Sequence, residues 1–353
     1  MSGSPASPAA PPRLWLVRAL SAAALAAGVL AMSPAARAAG DPRQGEQWGL
    51  STIGAPAAWA AGTGSGITIA VVDTGVDFRH PDLGGKLLPG SNFVTPGAAA
   101  QDDNGHGTHV AGIAGAATGN GVGVAGTAPG ARILPVKVLD GSGGGSADDV
   151  ADGIRWAADN GADVINLSLE NTVPLLGGLF ESPVPGAVRY AWGKGVVVVF
   201  AAGNSALFPS SAGAVPALVV TATTRQDQKA GYASGVGSAA WGLAAPGGAG
   251  SGGGEDILST LPGGAYGFKA GTSMAAPHVA AAAAVLRGRG LSPQATVEKL
   301  LATAKDLGTP GPDTTFGAGR LDLACAVDRC GAPAPPPDGS APATSTPPGA
   351  APA

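Results

Sequence analysis

The 353-residue chain carries little charge and few aromatic rings: Asp, Glu, Lys and Arg make up 12% of it, and Phe, Trp and Tyr 5%. The net charge is −4. No basic patch offers a surface to nucleic acid, and no run of like charge marks an acidic or basic tail. Cysteine is almost missing. Cys325 and Cys330 are the two present, with no further Cys or His close by to build a metal centre. In an exported chain they are expected to close a small disulfide loop of modest entropic effect; two free thiols is the alternative. Beyond the N-terminal segment no stretch reaches ~18 consecutive apolar residues, so the mature chain is expected not to span a membrane. The run Ala280 to Leu286 is closed by Arg287 and Arg289.

What the chain has in quantity is glycine, 59 residues, and alanine. A core built from them must close through small side chains, close backbone approach and many tight turns. The two ends differ from the middle. Arg13 and Arg18 precede an apolar run from Ala19 to Met32, too short to span comfortably. Ala36-Arg37-Ala38 then offers small residues around a cleavage point. Residues 1–38 therefore read as a signal peptide for secretion, with an uncleaved anchor as the alternative, and an extracellular location is expected. Residues 331–353 are rich in Pro, Ala, Ser and Thr with little apolar bulk, and read as a disordered tail prone to polyproline II. That leaves 39–330, roughly 290 residues, for one large domain.

Within that domain, short β-branched runs alternate with helical patterns. The runs are Ile67 to Val72, Ile133 to Val138, Val164 to Leu169, Val196 to Ala201 and Leu218 to Thr221. Their near-continuous apolarity suits strands buried on both faces. Helices are expected over His106 to Ala117, Asp148 to Asn160, Pro185 to Gly195, Thr272 to Gly288 and Ser292 to Ala304, the last with a Ser-Pro start. Alternation of this kind predicts an α/β fold, a three-layer αβα domain with a mostly parallel central sheet. Its site should lie at the carboxyl ends of the strands.

Three segments carry the chemistry. Val71-Val72-Asp73-Thr74-Gly75 ends the first strong strand with an acid. Asn104-Gly105-His106-Gly107-Thr108-His109 opens one helix with two histidines, and Gly271-Thr272-Ser273-Met274-Ala275 opens another with a serine. A serine hydroxyl becomes a useful nucleophile when a base within hydrogen-bond reach takes its proton. Imidazole titrates near neutrality and suits that task. A buried carboxylate must fix the imidazole tautomer.

These motifs, in the order Asp, His, Ser, resemble the subtilisin-like serine proteases, and in detail the thermitase-like branch. The likeness runs almost continuously from Trp48 to about Ala326. It implies a serine endopeptidase of broad specificity that acts on polypeptides, with Asp73, His106 and Ser273 as triad and Asn204 as oxyanion donor. It makes His106 the base; His109 would follow the helix surface and pack beside the site, His278 would be a core residue, and His80 would sit in a turn before Pro81. Gly143, Gly144 and Gly145 on one side, and Ser168 and Leu169 on the other, would pair with an extended peptide. Ala201, Ala202 and Gly203 would line an apolar P1 pocket. Glu170 stands where the family usually has Gly. Its carboxylate would favour basic P1 side chains or narrow the pocket; a solvated surface residue is the slightly preferred reading. Ala147 falls where the family often has a large aromatic, which would leave the P4 pocket more open.

The resemblance also implies a structural Ca²⁺ held by Asp41, Asp82, the Asn120 side chain and the carbonyls of Ala117, Val122 and Val124. A second site of thermitase type is not expected, because Asn92 to Ala100 lacks carboxylates. Fewer than 30 residues separate Ala38 from Ile67, short of the ~40 needed for an independent fold, so no conventional prodomain is expected. A monomer is expected, with no nucleic-acid partner and no stable membrane anchor. A membrane-anchored processing protease would need a C-terminal apolar span, and a non-catalytic binding module would not need an intact triad.

Overall fold

The computed structural model describes residues 40–169, 182–205 and 215–332. In chain order the elements are α1 (Trp48–Thr52), α2 (Ala55–Ala58), β1 (Thr68–Asp73), β2 (Ser91–Asn92), α3 (His106–Gly115), β3 (Arg132–Lys137), α4 (Ala147–Asp159) and β4 (Val164–Leu167). Then come α5 (Val184–Gly193), β5 (Val197–Ala201), β6 (Leu218–Thr223), β7 (Trp241–Pro246), β8 (Ile257–Leu261), β9 (Ala265–Lys269), α6 (Thr272–Gly288), α7 (Pro293–Ala302) and α8 (Leu323–Ala326). Short 3₁₀ turns join several of them.

Seven strands form one sheet in the order β2-β3-β1-β4-β5-β6-β7, and every neighbouring pair is parallel. The period-2 alternation of each strand sorts its side chains between two cores. Ile69 and Val71 of β1 join the layer that holds α3 and α6, with Ile133, Val164, Val197 and Val199. Ala70 and Val72 join the layer that holds α4 and α5, with Leu134, Val136, Ile165, Leu167 and Phe200. Helices thus cover both faces, and the expected three-layer αβα fold is what forms. Burying a Val or Ile side chain fully contributes roughly 1.5–3 kcal/mol, which is why continuous apolar strands settle in the middle layer.

Helix α6 runs through the first of these cores. Its residues from Thr272 to Leu286 are all buried, and five alanines, Ala280 to Ala284, face its surroundings with one methyl each. Such small side chains let sheet and neighbouring helices approach closely on every side. Helix α3 packs on α6 and on the β8–β9 hairpin; a β-carbon at Gly112 would come within 2.2 Å of Thr260 Oγ1, so this contact requires glycine.

The chain order reverses at β1: β2 and β3 lie on one side of it and β4 to β7 on the other. A crevice opens at such a point beyond the carboxyl ends of the strands. Asp73 is the last residue of β1, so the sheet delivers an acid to that crevice. Among the described residues no helix is long and apolar enough to cross a membrane. Cys325 and Cys330 form a disulfide that closes the end of α8.

Candidate active site

Asp73 is wholly buried. Its Oδ1 accepts from the backbone N–H of Thr74 at 2.7 Å and stands 2.7 Å from His106 Nδ1. His106 is the first residue of α3, and its side chain retains 22% exposure. The acid is therefore dry while the imidazole still meets the crevice. The entry to α3 is fixed by a second buried carboxylate, which the motifs alone did not single out. Asp102 Oδ1 accepts from Thr74 Oγ1, Asn104 N and Gly105 N; its Oδ2 accepts from Thr108 N and Oγ1. These bonds satisfy the free N–H groups at the helix start. Gly107 closes the approach of α3 to β1: a β-carbon there would lie 2.1 Å from Gly75 O.

Ser273 is the second residue of α6 and only 2% exposed. Pro277, four residues on, has no N–H to give to the Ser273 carbonyl. The Ser168 hydroxyl takes that place, donating to Ser273 O at 2.8 Å. Asn166 Nδ2 donates to Ser168 Oγ at 2.9 Å, and Ser273 Oγ donates to Ser168 O at 3.3 Å. The end of β4 and the start of α6 are thereby locked together. Ser168 and Leu169 are both buried. Glu170 lies outside the described residues.

Gly203 follows β5 with φ +102°, a conformation glycine adopts without strain. It turns the chain so that Asn204 faces α6. Asn204 Oδ1 accepts from Thr272 N at 3.0 Å and from Thr272 Oγ1 at 3.1 Å, and Gly203 N donates to Thr272 Oγ1 at 3.1 Å. With its oxygen so held, the amide of Asn204 has a fixed orientation. A β-carbon on Gly271 would be 3.6 Å from both Asn204 Nδ2 and Ser273 N, so these two nitrogens border one small region. Ala201 is half-buried, and Ala202 packs with Val219 and Val236. Gly143, Gly144 and Gly145 lie in the loop between β3 and α4. There the Asp140 carboxylate accepts from Ser142 N, Ser142 Oγ and Gly144 N and holds the turn. These bonds also hold the Asp140 pKa low.

The other histidines separate from His106 by environment. His109 is fully buried under the β8–β9 hairpin, with Nε2 3.0 Å from Gly267 O; it is a buried hairpin contact, not a residue of the helix surface. Burial pushes its pKa down to about 3. His278 lies in the core, Nδ1 2.9 Å from Thr127 Oγ1, and burial likewise pushes it down to about 3. His80 caps the turn at Pro81–Leu83, where its Nδ1 accepts from Asp82 N at 3.2 Å.

The calcium-ligand candidates converge on one loop. Asp41 accepts from Gly119 N and Asn120 N. Asp82 accepts from Asn120 Nδ2 at 2.8 Å and Val124 N at 2.8 Å, and Ala117 N donates to Asp82 O. Burial raises the Asp41 pKa, and the charge of Asp82 adds to it while backbone bonds oppose. Two buried carboxylates that repel one another beside a carbonyl-bearing loop fit a hard cation, which takes about six to eight oxygens. Among the described residues no group of three ionisable ligands exists, so most of those oxygens would come from carbonyls.

A buried acid–imidazole pair at the end of a parallel strand and a serine at the start of a buried helix are residue types that serine hydrolases use. A profile of the subtilase family matches residues 64–319. Thermitase of Thermoactinomyces vulgaris is 44% identical over 286 residues, covering 80% of this chain and 95% of thermitase. A thermophilic serine proteinase of Bacillus sp. (strain AK1) is 43% identical over 291 residues, covering 80% of this chain and 67% of that protein. Among solved structures, a protease from Pseudoalteromonas arctica PAMC 21717 superposes with a TM-score of 0.69 at 33% identity, covering 82% of this chain and 98% of that one. The chain belongs to the subtilase family and is a subtilisin-like serine endopeptidase.

Proposed function

We propose that the chain is a secreted endopeptidase of broad specificity whose triad is Asp73, His106 and Ser273. The observation that carries the reading is the 2.7 Å pairing of buried Asp73 Oδ1 with His106 Nδ1; the start of α6, where Ser273 lies, supplies the nucleophile in this reading. The carboxylate accepts from Nδ1–H and leaves Nε2 as the basic nitrogen. Ser273 Oγ bonds to the substrate carbonyl carbon while its proton passes to His106. The oxyanion so formed takes hydrogen bonds from Asn204 Nδ2 and the Ser273 backbone N–H. Collapse breaks the C–N bond as His106 returns the proton to the leaving amine. Water then attacks the acyl-enzyme, with His106 again as base and then acid.

Extended substrates lie along Gly143 to Gly145 and Ser168-Leu169, where main-chain pairing tolerates many sequences, and the P1 side chain enters beside Ala201 to Gly203. Residues 1–38 direct export, 39–330 form the catalytic domain and 331–353 a tail. A Ca²⁺ held by Asp41, Asp82, Asn120 and the carbonyls of Ala117, Val122 and Val124 would neutralise the carboxylate pair and stabilise the fold.

Hydrolysis of a tetrapeptide p-nitroanilide by wild type and Ser273→Ala tests the triad. A loss of about 10⁶-fold in kcat is expected, the size known for this change in a subtilisin; comparable rates in the two contradict the assignment. N-terminal sequencing of exported protein tests the boundary, which is expected near Ala39.

A further inference from the structure

Lys137, the last residue of β3, pairs in register with Asp73 of β1. Its neighbours Val136 and Val138 are wholly buried and apolar, and Lys137 itself is 3% exposed. A buried ammonium is unfavourable unless each proton finds an acceptor. Here three protons meet three oxygens. Nζ donates at 2.7 Å to Thr74 O, at 2.7 Å to Asp103 Oδ1 and at 2.7 Å to Leu139 O. The acceptors belong to three different segments. Thr74 follows Asp73 directly; Asp103 lies in the turn that enters α3 three residues before His106; Leu139 begins the connection to Gly143–Gly145. Asp73 O reinforces the same junction by accepting from Val138 N and Leu139 N. Methionine, one atom shorter, would fill most of the space and leave these oxygens without the shared cation.

We propose that Lys137 is a positioning residue that keeps the 140–145 edge in register with the Asp73–His106 pair. It thereby lets subsites distant from the scissile bond contribute to the rate. The inference rests on the reading of Gly143 to Gly145 as a substrate edge and of Asp73, His106 and Ser273 as the triad. Lys137 touches neither substrate nor reacting atoms. It acts through the two carbonyls and the carboxylate that it gathers. Loss of the cation frees the edge to shift relative to the triad, and a misplacement near 1 Å is costly in rate. A substrate that spans the edge feels that shift; a single-residue ester, which reaches only the triad and the P1 pocket, feels it less.

The test compares kcat/KM for a tetrapeptide p-nitroanilide and for a single-residue acyl ester in wild type, Lys137→Met and Asp103→Ala, using the full chain. Asp103 is 57% exposed, so its replacement leaves the core intact. The advantage of the tetrapeptide over the ester is expected to fall about tenfold in Lys137→Met and roughly threefold in Asp103→Ala. A purely structural lysine lowers both substrates together and leaves the ratio unchanged. An unchanged ratio in folded Lys137→Met overturns the inference. Should that variant not fold, Asp103→Ala decides alone by the same criterion. A wild-type enzyme with no tetrapeptide advantage refutes the edge reading itself, and the inference falls with it.

Discussion

Asp73 Oδ1 and His106 Nδ1 stand 2.7 Å apart, the carboxylate wholly buried and the imidazole still partly exposed. This asymmetry keeps the carboxylate away from water while the imidazole stays open to it. The pair fixes which imidazole nitrogen carries the proton.

Asp73→Asn leaves the shape and removes the negative charge beside Nδ1. A neutral amide holds the imidazole less firmly in the required tautomer and stabilises the imidazolium less than a carboxylate does. A fall in kcat of about 10⁴-fold is expected, as for the equivalent change in other serine proteases. Steady-state kinetics at neutral pH measures it; a loss below tenfold contradicts the assigned role.

Asn204→Ala removes one of the two proposed oxyanion donors. Thr272 is wholly buried and donates to the Asn204 oxygen through N–H and hydroxyl, so the variant also loses about 1–3 kcal/mol of stability and kcat is measured well below its melting temperature. The expected fall is about 10²–10³-fold in kcat, the loss found when such a donor is removed from a subtilisin. KM should change little, because the bond forms in the transition state. A change confined to KM contradicts this role.

Acid should weaken the fold through two histidines that are fully buried. His109 and His278 are pushed down to about 3 by burial, against about 6.5 in an unfolded chain. Below pH 6.5 the unfolded state therefore binds more protons than the folded one. Stability is present above 6.5 and is lost as pH falls towards 3, at about 1.4 kcal/mol per pH unit for each histidine. The melting temperature at fixed calcium, followed from pH 7 to pH 4.5, should fall steeply. In the double variant His109→Gln/His278→Gln the slope should flatten; an equal slope contradicts the account.

Calcium should raise the melting temperature by binding at Asp41 and Asp82. A hundredfold excess over Kd contributes about 2.7 kcal/mol. Asp82→Asn should abolish the calcium increment, as seen by calorimetry with CaCl₂ against EDTA. The raised Asp41 pKa adds a pH dependence: calcium must displace a proton there as pH falls, so its effect weakens in acid. A full calcium increment in Asp82→Asn rules the site out.

The sheet was legible because buried parallel strands write themselves as continuous apolar runs, as in Ile67 to Val72 and Val196 to Ala201. The main helices were legible from their periodicity and starts, to within two residues or so. Strand β7 was not. Its segment Trp241–Pro246 is rich in Gly and Ala and ends in Pro, so it carries neither β-branched enrichment nor alternation. The β8–β9 hairpin was hidden too, since Pro262-Gly263-Gly264 and the glycines of residues 247–254 look like loop. What organises that stretch is Asp256, whose carboxylate accepts from Gly250 N and Gly252 N. Around the site, the motif residues stood out by type and spacing. Asp102, Thr272 and Lys137 did not, because a hydrogen-bond hub owes its meaning to partners far away in the chain. What covers His109 was hidden for a related reason: the hairpin that buries it lies about 150 residues downstream.

The most direct test of the central claim is labelling by a fluorophosphonate, which bonds covalently only to an activated serine hydroxyl. The full-length wild type should take up one label, located on Ser273 by peptide mass spectrometry, and Ser273→Ala should take up none. Asp73→Asn should label far more slowly. Absence of label from folded wild type, or equal labelling of Ser273→Ala, would contradict the account.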